Sequence, residues 1–367
     1  MSLVPHGGDI FGAARRLRVP VSRLIDFSAN INPFGLSPKA RRRLWHELGS
    51  VCHYPDRRQE ELRRLIAAKE KIDPECLVFG NGATQLLYLI PRCLKPRKAV
   101  LIVPGFPEYH AALEAVQCSI REFRLRPEES FRLKAAPFLD TLKKERPDVI
   151  LLANPNNPTG TLVAQPILLE LACFCRRHDI HFVVDESFID FTQEVSLAKR
   201  AGEEPCLIVV RSLTKFFALP GLRIGYLVAH PSVAQTLGRR LEPWSVNTLA
   251  LAAAAESIKD SGYRKRTSAL VTSERKYLLA AFENLGWLKP FPSQTNFVLA
   301  RIKSRRISGG MLRQKLESRH LLIRDSCGFK GLGPQYVRFA IRTHKENKRL
   351  MSALRVVGER FRSLGKG

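Results

Sequence analysis

The middle of the chain alternates short apolar runs with stretches that have the residue pattern of helices. Each apolar run has the length of one strand and is rich in β-branched residues, which is typical of strands buried on both faces. Helices are indicated between the runs, for example at Glu170–Arg177, which follows Pro166. Strands separated by helices favour a mainly parallel sheet, so the sequence predicts an α/β fold. The predicted strands are Ala99–Val103, Val149–Ala153, Phe182–Val184, Leu207–Val210 and Ile224–Val228.

The two ends of the chain have a different pattern from this middle part. Residues 1–44 begin irregularly, whereas the C-terminal part combines a long helical pattern at Tyr263–Leu285 with possible strands at Asn296–Ala300 and Tyr336–Ile341. A single core rarely grows beyond ~250–300 residues, so 367 residues allow two domains. We therefore predict an N-terminal arm (1–44) that joins the small domain, a large domain (45–255) and a small C-terminal domain (256–367).

The chain is strongly basic, with 60 Lys and Arg against 34 Asp and Glu and a formal charge of +26. Residues 301–367 alone hold 18 basic against 4 acidic residues. A basic surface attracts polyanions, so nucleic-acid binding is kept as an alternative, although no RNA-binding signature or zinc finger is present.

Other classes of protein and site are not expected from the sequence. There is no run of roughly 20 apolar residues and no basic-then-apolar leader, so we predict a cytoplasmic protein that does not span a membrane. The nearest approach to a metal cluster is Cys173, Cys175, His178 and His181. These side chains would not converge on one face of a helix, so no metal site is predicted.

Two glycine-rich or proline-rich turns lie where α/β proteins bind ligands. Gly80–Thr84 (GNGAT) precedes a predicted helix, whose free backbone N–H groups favour a phosphate. Asn154–Gly160 (NPNNPTG) follows a predicted strand, at the carboxyl edge of the sheet. Taken alone, either motif is also compatible with a simple connection between elements.

Two further clusters contain ionisable side chains. Asp185–Phe188 (DESF) closes a predicted strand, and a carboxylate buried there requires a cationic partner such as a protonated pyridine nitrogen. Arg211–Lys215 (RSLTK) is followed by Gly221–Gly225 (GLRIG). The hydroxyls of the first segment and Arg223 can surround a phosphate while Lys215 forms an imine with a carbonyl compound.

In this order the clusters resemble the fold-type I pyridoxal 5'-phosphate (PLP) enzymes, the aspartate aminotransferase superfamily. The order is specific, and the resemblance covers nearly the whole chain. It implies PLP as the cofactor, a small-molecule substrate and a homodimer. It also implies a large domain with a mainly parallel sheet and a smaller α+β domain formed by the C-terminus and the N-terminal arm.

The resemblance implies a role for each matching residue. Lys215 is expected to form the Schiff base with PLP and Asp185 to contact the pyridine nitrogen, which makes these two the predicted catalytic residues. Asn157 is expected to hydrogen-bond the phenolic oxygen of the ring. The other expected cofactor contacts are Gly82, Ala83, Thr84, Ser212, Thr214 and Arg223 to the phosphate, Phe106 stacked on the ring, and Tyr54 reaching the phosphate of the neighbouring subunit.

Within the superfamily the chain is most similar to the histidinol-phosphate aminotransferase branch, and there to the threonine-phosphate decarboxylases of cobalamin synthesis. The similarity rests on residues 6–8, 26–33, 185–191, 211–216, 243–247, 323–324 and 338–342. Most aminotransferases of this type have tyrosine three residues after the aspartate; Phe188 stands there instead, which fits the decarboxylases. By the same resemblance, His6, Asn30, Asn157, Arg324 and Arg338 are expected to bind the substrate's phosphate and carboxylate.

The implied reaction is the decarboxylation of O-phospho-L-threonine to (R)-1-amino-2-propanol O-2-phosphate. A histidinol-phosphate aminotransferase is the first alternative, and it would need a keto acid. Decarboxylation of O-phospho-L-serine is the second, because one methyl group contributes only ~1–3 kcal/mol to discrimination. Nucleic-acid binding by the basic C-terminal part is the third.

Overall fold

The computed structural model describes residues 7–363 and shows an α/β protein with three sheets. The helices are α1 (Ile10–Leu17), α2 (Pro38–Glu47), α3 (Glu60–Glu70), α4 (Ala83–Leu94), α5 (Glu108–Glu114), α6 (Ala135–Glu145), α7 (Gln165–Arg177), α8 (Ala198–Glu203), α9 (Leu213–Phe216), α10 (Pro231–Gly238), α11 (Thr248–Lys259), α12 (Ser261–Asn284), α13 (Gly309–Glu317) and α14 (His344–Ser363). The strands are β1 (Ile25–Asp26), β2 (Leu77–Asn81), β3 (Lys98–Val103), β4 (Ser119–Arg124), β5 (Val149–Ala153), β6 (His181–Asp185), β7 (Leu207–Ser212), β8 (Ile224–Val228), β9 (Leu288–Pro290), β10 (Phe297–Ile302), β11 (Leu321–Leu322), β12 (Arg324–Asp325) and β13 (Tyr336–Ala340).

The largest sheet has seven strands in the order β2-β8-β7-β6-β5-β3-β4. Only β8 runs antiparallel to its neighbours, β2 and β7, and the other four pairs are parallel. The predicted mainly parallel sheet is therefore confirmed. Helices cover both faces, because the strands between them are apolar on both sides. Successive residues such as Leu151 and Leu152 of β5 belong to different buried clusters, one on each face of the sheet.

A smaller antiparallel sheet, in the order β12-β13-β10-β9, packs with α12, α13 and α14. The N-terminal segment joins this region, since β1 pairs with β11 in parallel. The Phe27 N–H donates to the Leu322 carbonyl at 2.7 Å, and the Ala340 N–H donates to the Phe27 carbonyl at 2.8 Å. The arm predicted to join a small α+β layer is thus placed against it. The exact domain boundaries, 44/45 and 255/256, stay a prediction.

All five strands predicted in the middle of the chain and both strands predicted in the C-terminal part are present. In the large sheet β2 and β4 were not predicted, and the short strands β1, β9, β11 and β12 were not predicted either. β4 lies at the edge of the sheet and mixes charged with apolar residues. All six of its residues are partly or fully exposed, so it lacks the continuous apolar run of a buried strand. Within residues 7–363, no helix combines the length and apolar character needed to cross a membrane.

The topology brings separate motifs to one edge of the large sheet. Parallel strands β5, β6 and β7 end at Ala153, Asp185 and Ser212, and their carboxyl ends meet at the same edge. The amino terminus of α4 lies beside them, because β2 leads into it next to β8. This is the edge at which open α/β sheets bind ligands.

Candidate active site

A pocket of about 60 Å³ lies at this edge of the sheet. It is lined by Ala83, Thr84, Leu87, Phe106, Tyr109, Ala153, Asn157, Asp185, Ser187, Phe188, Ser212, Thr214, Lys215 and Arg223. The structure therefore brings together residues from all four sequence clusters, which span more than a hundred positions. Gly82 directly precedes this lining at the start of α4.

One end of the pocket is built to receive an anion. α4 begins at Ala83 without a side-chain cap, so its first N–H groups are available to a ligand and the helix dipole favours negative charge there. Gly82 has a φ of +80°, and a Cβ at this position would lie 2.4 Å from a terminal nitrogen of Arg223. A Cβ on Gly225 would lie 2.6 Å from the Ala83 nitrogen. Glycine at both positions lets Arg223 and the β8 backbone approach the helix start.

Hydroxyl groups continue this anion-binding end towards Lys215. Ser212 ends β7, and its Oγ lies 2.7 Å from Thr214 Oγ1 and accepts from the Thr214 N–H. Lys215 Nζ donates to Thr214 Oγ1 at 2.9 Å. Two hydroxyls, Arg223 and a helix start together form a site for a tetrahedral oxyanion such as phosphate.

Lys215 has an unusually low affinity for its proton. Burial, together with the positive charges of Arg223 and Arg338, lowers the pKa of Lys215 to about 8, although Asp185 opposes the shift. At pH 7 about one lysine in ten is then neutral, against fewer than about one in a thousand at an ordinary pKa. The neutral amine is the nucleophilic form, so the pocket activates Lys215.

Asp185 is held by two hydrogen bonds at the end of β6, where its side chain is buried. Tyr109 Oη donates to one carboxylate oxygen at 2.7 Å, and the Ser187 N–H donates to the other at 2.8 Å. Burial and the neighbouring carboxylate raise the pKa of Tyr109 well above its usual range, so Tyr109 remains a donor. Tyr109 was not predicted from the sequence, although it lies three positions after Phe106, the residue expected to stack on the ring.

A buried ionic network lies directly behind the pocket. Arg211 Nη1 lies 3.4 Å from Glu186 Oε2, and Arg211 Nη2 lies 2.9 Å from Asp190 Oδ2. Arg211 and Glu186 adjoin Ser212 and Asp185, respectively, so the network joins the ends of β6 and β7. The mutual pairing offsets the cost of burying these charges. Arg211 belongs to a motif that was predicted from the sequence, but no role was predicted for it.

The predicted substrate residues lie on the small-domain side. Arg338 of β13 is buried; it donates to the Asn157 side-chain oxygen and, at 2.8 Å, to the Ser28 carbonyl. Burial and the nearby Arg324 lower the pKa of Arg338 to about 9. Asn30 is also buried, and its Oδ1 has no hydrogen-bond partner within residues 7–363. His6 lies outside the described residues.

Phe188 is in the pocket wall, where most aminotransferases of the resembled type have tyrosine. Its ring packs edge-on against Phe297 with a centroid distance of 5.1 Å. Phe106 packs edge-on against Tyr109 at 5.6 Å and lines the same pocket together with Leu87. The pocket therefore combines apolar surfaces that can enclose an aromatic ring with a polar end that can bind an anion.

Tyr54 is not brought to this pocket. Its side chain is 79% exposed and stacks on Trp244 at a centroid distance of 4.5 Å. Trp244 itself is 44% exposed, so a pair of aromatic rings lies open on the surface of one chain. Tyr54 was predicted to reach the pocket of a neighbouring subunit, and its exposed position does not test that prediction.

The sequence matches the model of one protein family, "Aminotransferase class I and II", over residues 22–354. The chain belongs to the class I and II aminotransferase family. Pyridoxal 5'-phosphate (PLP) is the cofactor of this chain.

Relatives in this family differ in the activity that their names state. A threonine-phosphate decarboxylase from Salmonella typhimurium is 37% identical over 96% of this chain and 96% of its own. An adenosylcobalamin biosynthesis bifunctional protein from Leptospira interrogans is 32% identical over 96% of this chain and 41% of its own. The crystal structure of the histidinol-phosphate aminotransferase from Clostridium acetobutylicum superposes with a TM-score of 0.85 at 28% identity, covering 92% of this chain and 100% of that one. The shared fold therefore accommodates more than one reaction.

The residues of the pocket fit PLP. Because Gly82 and Gly225 have no Cβ, the start of α4 lies close to Arg223 and remains open to the PLP phosphate. The buried carboxylate of Asp185 offers the negative charge that a protonated pyridine nitrogen needs. Lys215 lies in the same pocket with an amine whose lowered pKa suits reaction with an aldehyde.

The lowered pKa of Lys215 predicts a pH dependence for cofactor loading. Below about pH 8, the rate at which the apoprotein captures PLP should rise about tenfold per pH unit, because the neutral fraction of the amine does so. Above that pH the rate should level off. Stopped-flow absorbance across pH 6 to about 10 measures the profile. In Arg223→Leu the midpoint should move to higher pH, and a wild-type rate still rising near pH 10 would contradict the prediction.

Proposed function

We propose that the chain is a PLP-dependent decarboxylase that converts O-phospho-L-threonine into (R)-1-amino-2-propanol O-2-phosphate in cobalamin biosynthesis. The observation that carries this proposal is the pair of buried arginines on the substrate side, Arg324 and Arg338, which are 6% and 5% exposed. Two buried guanidinium groups suit a substrate with two anionic groups, and O-phospho-L-threonine has a carboxylate and a phosphate. The names of the Salmonella and Leptospira relatives support the same reaction and pathway.

We assign the carboxylate to Arg338 and Asn157, which are hydrogen-bonded to each other, and the phosphate to Arg324. Asn30, whose Oδ1 lacks a partner within residues 7–363, and His6 are proposed to contribute on the phosphate side. Binding both anions at once restricts rotation about the bonds of Cα. Remote binding energy is thereby used to select which bond at Cα reacts.

PLP, when bound, supplies an electron sink for heterolytic cleavage of a bond at Cα. The residues of the chain control the rest of the reaction. Asp185, which Tyr109 and Ser187 hold by hydrogen bonds, would provide the negative charge that a protonated pyridine nitrogen needs. Lys215 Nζ, with a pKa of about 8, can hold and release a proton near neutral pH and is proposed to protonate Cα after carbon dioxide leaves. The product then retains the amine and the phosphate.

The alternative with the same fold is a histidinol-phosphate-type aminotransferase. Histidinol phosphate has a single anionic group, so it would leave one of the two buried arginines without an anionic partner, at a cost of desolvation. A keto-acid partner could supply a second anion only in the other half-reaction. O-phospho-L-serine has both anions and remains a possible second substrate.

The test is incubation of the PLP-loaded protein with O-phospho-L-threonine in the absence of any keto acid. We expect catalytic release of carbon dioxide with formation of the phosphorylated amino alcohol, measured by a coupled carbon dioxide assay and mass spectrometry. O-phospho-L-serine in parallel measures the contribution of the methyl group. If no carbon dioxide is released and histidinol phosphate instead converts the cofactor to pyridoxamine phosphate, the chain is an aminotransferase.

We further propose that the chain acts as a homodimer in which Tyr54 reaches the PLP phosphate of the partner subunit. Tyr54 is 79% exposed and Trp244, on which it stacks, is 44% exposed. Other large apolar side chains are also exposed, including Trp45 at 71% and Val51 at 61%. Exposed apolar residues so close in sequence are typical of a surface that a second subunit covers.

Mixing two inactive variants tests this arrangement. Tyr54→Ala and Lys215→Ala chains, each inactive or weakly active alone, should recover about one quarter of wild-type activity after mixed refolding, because half of the random dimers contain one complete site. Sedimentation velocity checks that both variants remain dimeric. If Tyr54 served its own subunit, the mixed dimer would contain no complete site and no activity would return.

A further inference from the structure

Arg324 and Arg338 are direct neighbours across two strands. They form a residue pair in the antiparallel register of β12 and β13, so their side chains leave the same face of the sheet. Both are buried, at 6% and 5% exposure. Like charges directly opposite each other destabilise a sheet, and burial increases the repulsion because the local dielectric constant is low.

The carboxylates near this pair are engaged elsewhere. Asp325 accepts from Arg313 at 3.0 Å, and Asp26 accepts from the Ser28 hydroxyl at 2.6 Å. Within the described part of the chain, neither Arg324 nor Arg338 forms an ion pair under a 4.0 Å limit. Asp325 and Asp26 still attract Arg324 and Arg338, respectively, from a greater distance, but the pKa of both arginines remains lowered, so these carboxylates offset only part of the unfavourable environment.

The ring of Phe329 lies against both guanidinium groups. Arg324 Cζ is 5.3 Å and Arg338 Cζ is 5.8 Å from the ring centroid, within the range of cation–π contacts. Phe329 is 3% exposed and lies in the connection between β12 and β13. That connection is fixed locally, since the Phe329 N–H donates to the Ser326 carbonyl and the Phe329 carbonyl accepts from Leu332. A second ring, Phe297, lies 5.2 Å from Arg338 Cζ.

We propose that Phe329 is a specificity-determining positioning residue that holds Arg324 and Arg338 at a fixed separation. This rests on the proposed function, in which the two arginines bind the phosphate and the carboxylate. The aromatic face attracts both cations and so sets the distance between the two anion sites. The separation selects amino acids whose carboxylate carbon and phosphorus are joined through Cα, Cβ and one oxygen, and it disfavours longer ligands.

Ligands without an amine test this directly, because they cannot react with PLP. In 4-phosphonobutyrate, three methylene groups separate the carboxylate carbon from phosphorus, which reproduces the spacing of the proposed substrate; 5-phosphonopentanoate is longer by one methylene. Isothermal titration calorimetry on PLP-loaded protein measures both, with inorganic phosphate as a single-anion probe. We expect wild type to bind the shorter phosphonate at least about fivefold more tightly than the longer one.

In Phe329→Leu this preference should fall to within about twofold, since the apolar volume remains but the π face is lost. Affinity for inorganic phosphate should stay the same or increase, because each guanidinium loses a competing aromatic partner. Phe329→Tyr should restore the preference. Phe282→Leu is the matched control: Phe282 is a fully buried ring of α12 that packs on Phe339 in the same small sheet region, and its loss should leave the preference unchanged.

The possible results separate the two proposals. A wild-type protein that binds neither phosphonate more tightly than inorganic phosphate would overturn the two-anion site and, with it, the role of Phe329. A wild-type protein that discriminates, with Phe329→Leu discriminating equally well, would overturn only the role of Phe329. Loss of discrimination in Phe282→Leu as well would show a general effect of packing and would also overturn it.

Discussion

Replacing Lys215 with alanine is expected to lower carbon dioxide release from O-phospho-L-threonine by about 10³-fold to 10⁴-fold. The variant loses the only amine that lines the described pocket, and with it both the nucleophile for PLP and the proton donor with a pKa of about 8. Initial rates of carbon dioxide release under saturating PLP measure the effect. A second readout is independent of turnover: after borohydride reduction, mass spectrometry should find PLP attached to the Lys215 peptide of wild type alone.

A lysine outside the pocket provides the control for this experiment. Lys259 is partly exposed and pairs with Glu61 at 2.7 Å and with Glu256 at 3.0 Å. Exposed ion pairs contribute little to stability, so Lys259→Ala should keep near wild-type activity and the same cofactor attachment. If Lys215→Ala retained a tenth or more of wild-type turnover, the assignment of Lys215 would be wrong.

Asp185→Asn is expected to lower kcat by about 10²-fold to 10³-fold while leaving the fold intact. The substitution removes the buried charge but not the hydrogen bonds. The asparagine oxygen can accept from the Ser187 N–H, and its amide can donate to Tyr109 Oη, which then acts as the acceptor. The expected pattern is thus a loss of kcat with little change in Tm, measured by steady-state kinetics and thermal denaturation.

Asp190 is a matched control five residues further along the chain. It is buried and paired with Arg211 and Lys69, but it does not line the pocket. Asp190→Asn breaks a buried ionic network, which typically costs about 3–5 kcal/mol of unfolding free energy. We expect a clear fall in Tm with a much smaller loss of kcat than in Asp185→Asn. The reverse pattern would show that Asp185 has a mainly structural role.

The strands at the centre of the sheet could be predicted from the sequence because each is a continuous apolar run buried on both faces. Other strands could not be predicted from the sequence, also for physical reasons. β4 is an edge strand with alternating charged residues, and β12 has only two residues, so neither produces a distinct pattern in the sequence. Each forms because it pairs with a more regular neighbouring strand, β4 with β3 and β12 with β13.

The candidate site shows the same division. Lys215, Asp185, Asn157 and Arg223 belong to recognisable motifs, and the structure brings them to one pocket. Tyr109 could not be assigned in this way, because its contact with Asp185 joins residues 76 positions apart. Phe329 lies between two arginines only after β12 and β13 have paired. The contact of Tyr54 with a partner subunit stays a prediction.

Because β1 pairs with β11, the N-terminal segment is synthesised first but can reach its folded position only after the C-terminal part of the chain has been made. Ser28 and Asn30 are made early, yet their partners in and around the substrate site, including Arg338, leave the ribosome at the end of translation. The large sheet from β2 to β8 can form before then, since its strands all lie between residues 77 and 228. A nascent chain that has formed this sheet thus has the residues of the cofactor end of the pocket but not yet Arg324 and Arg338, which we propose bind the substrate. On this proposal, substrate selection is the last property that the chain acquires.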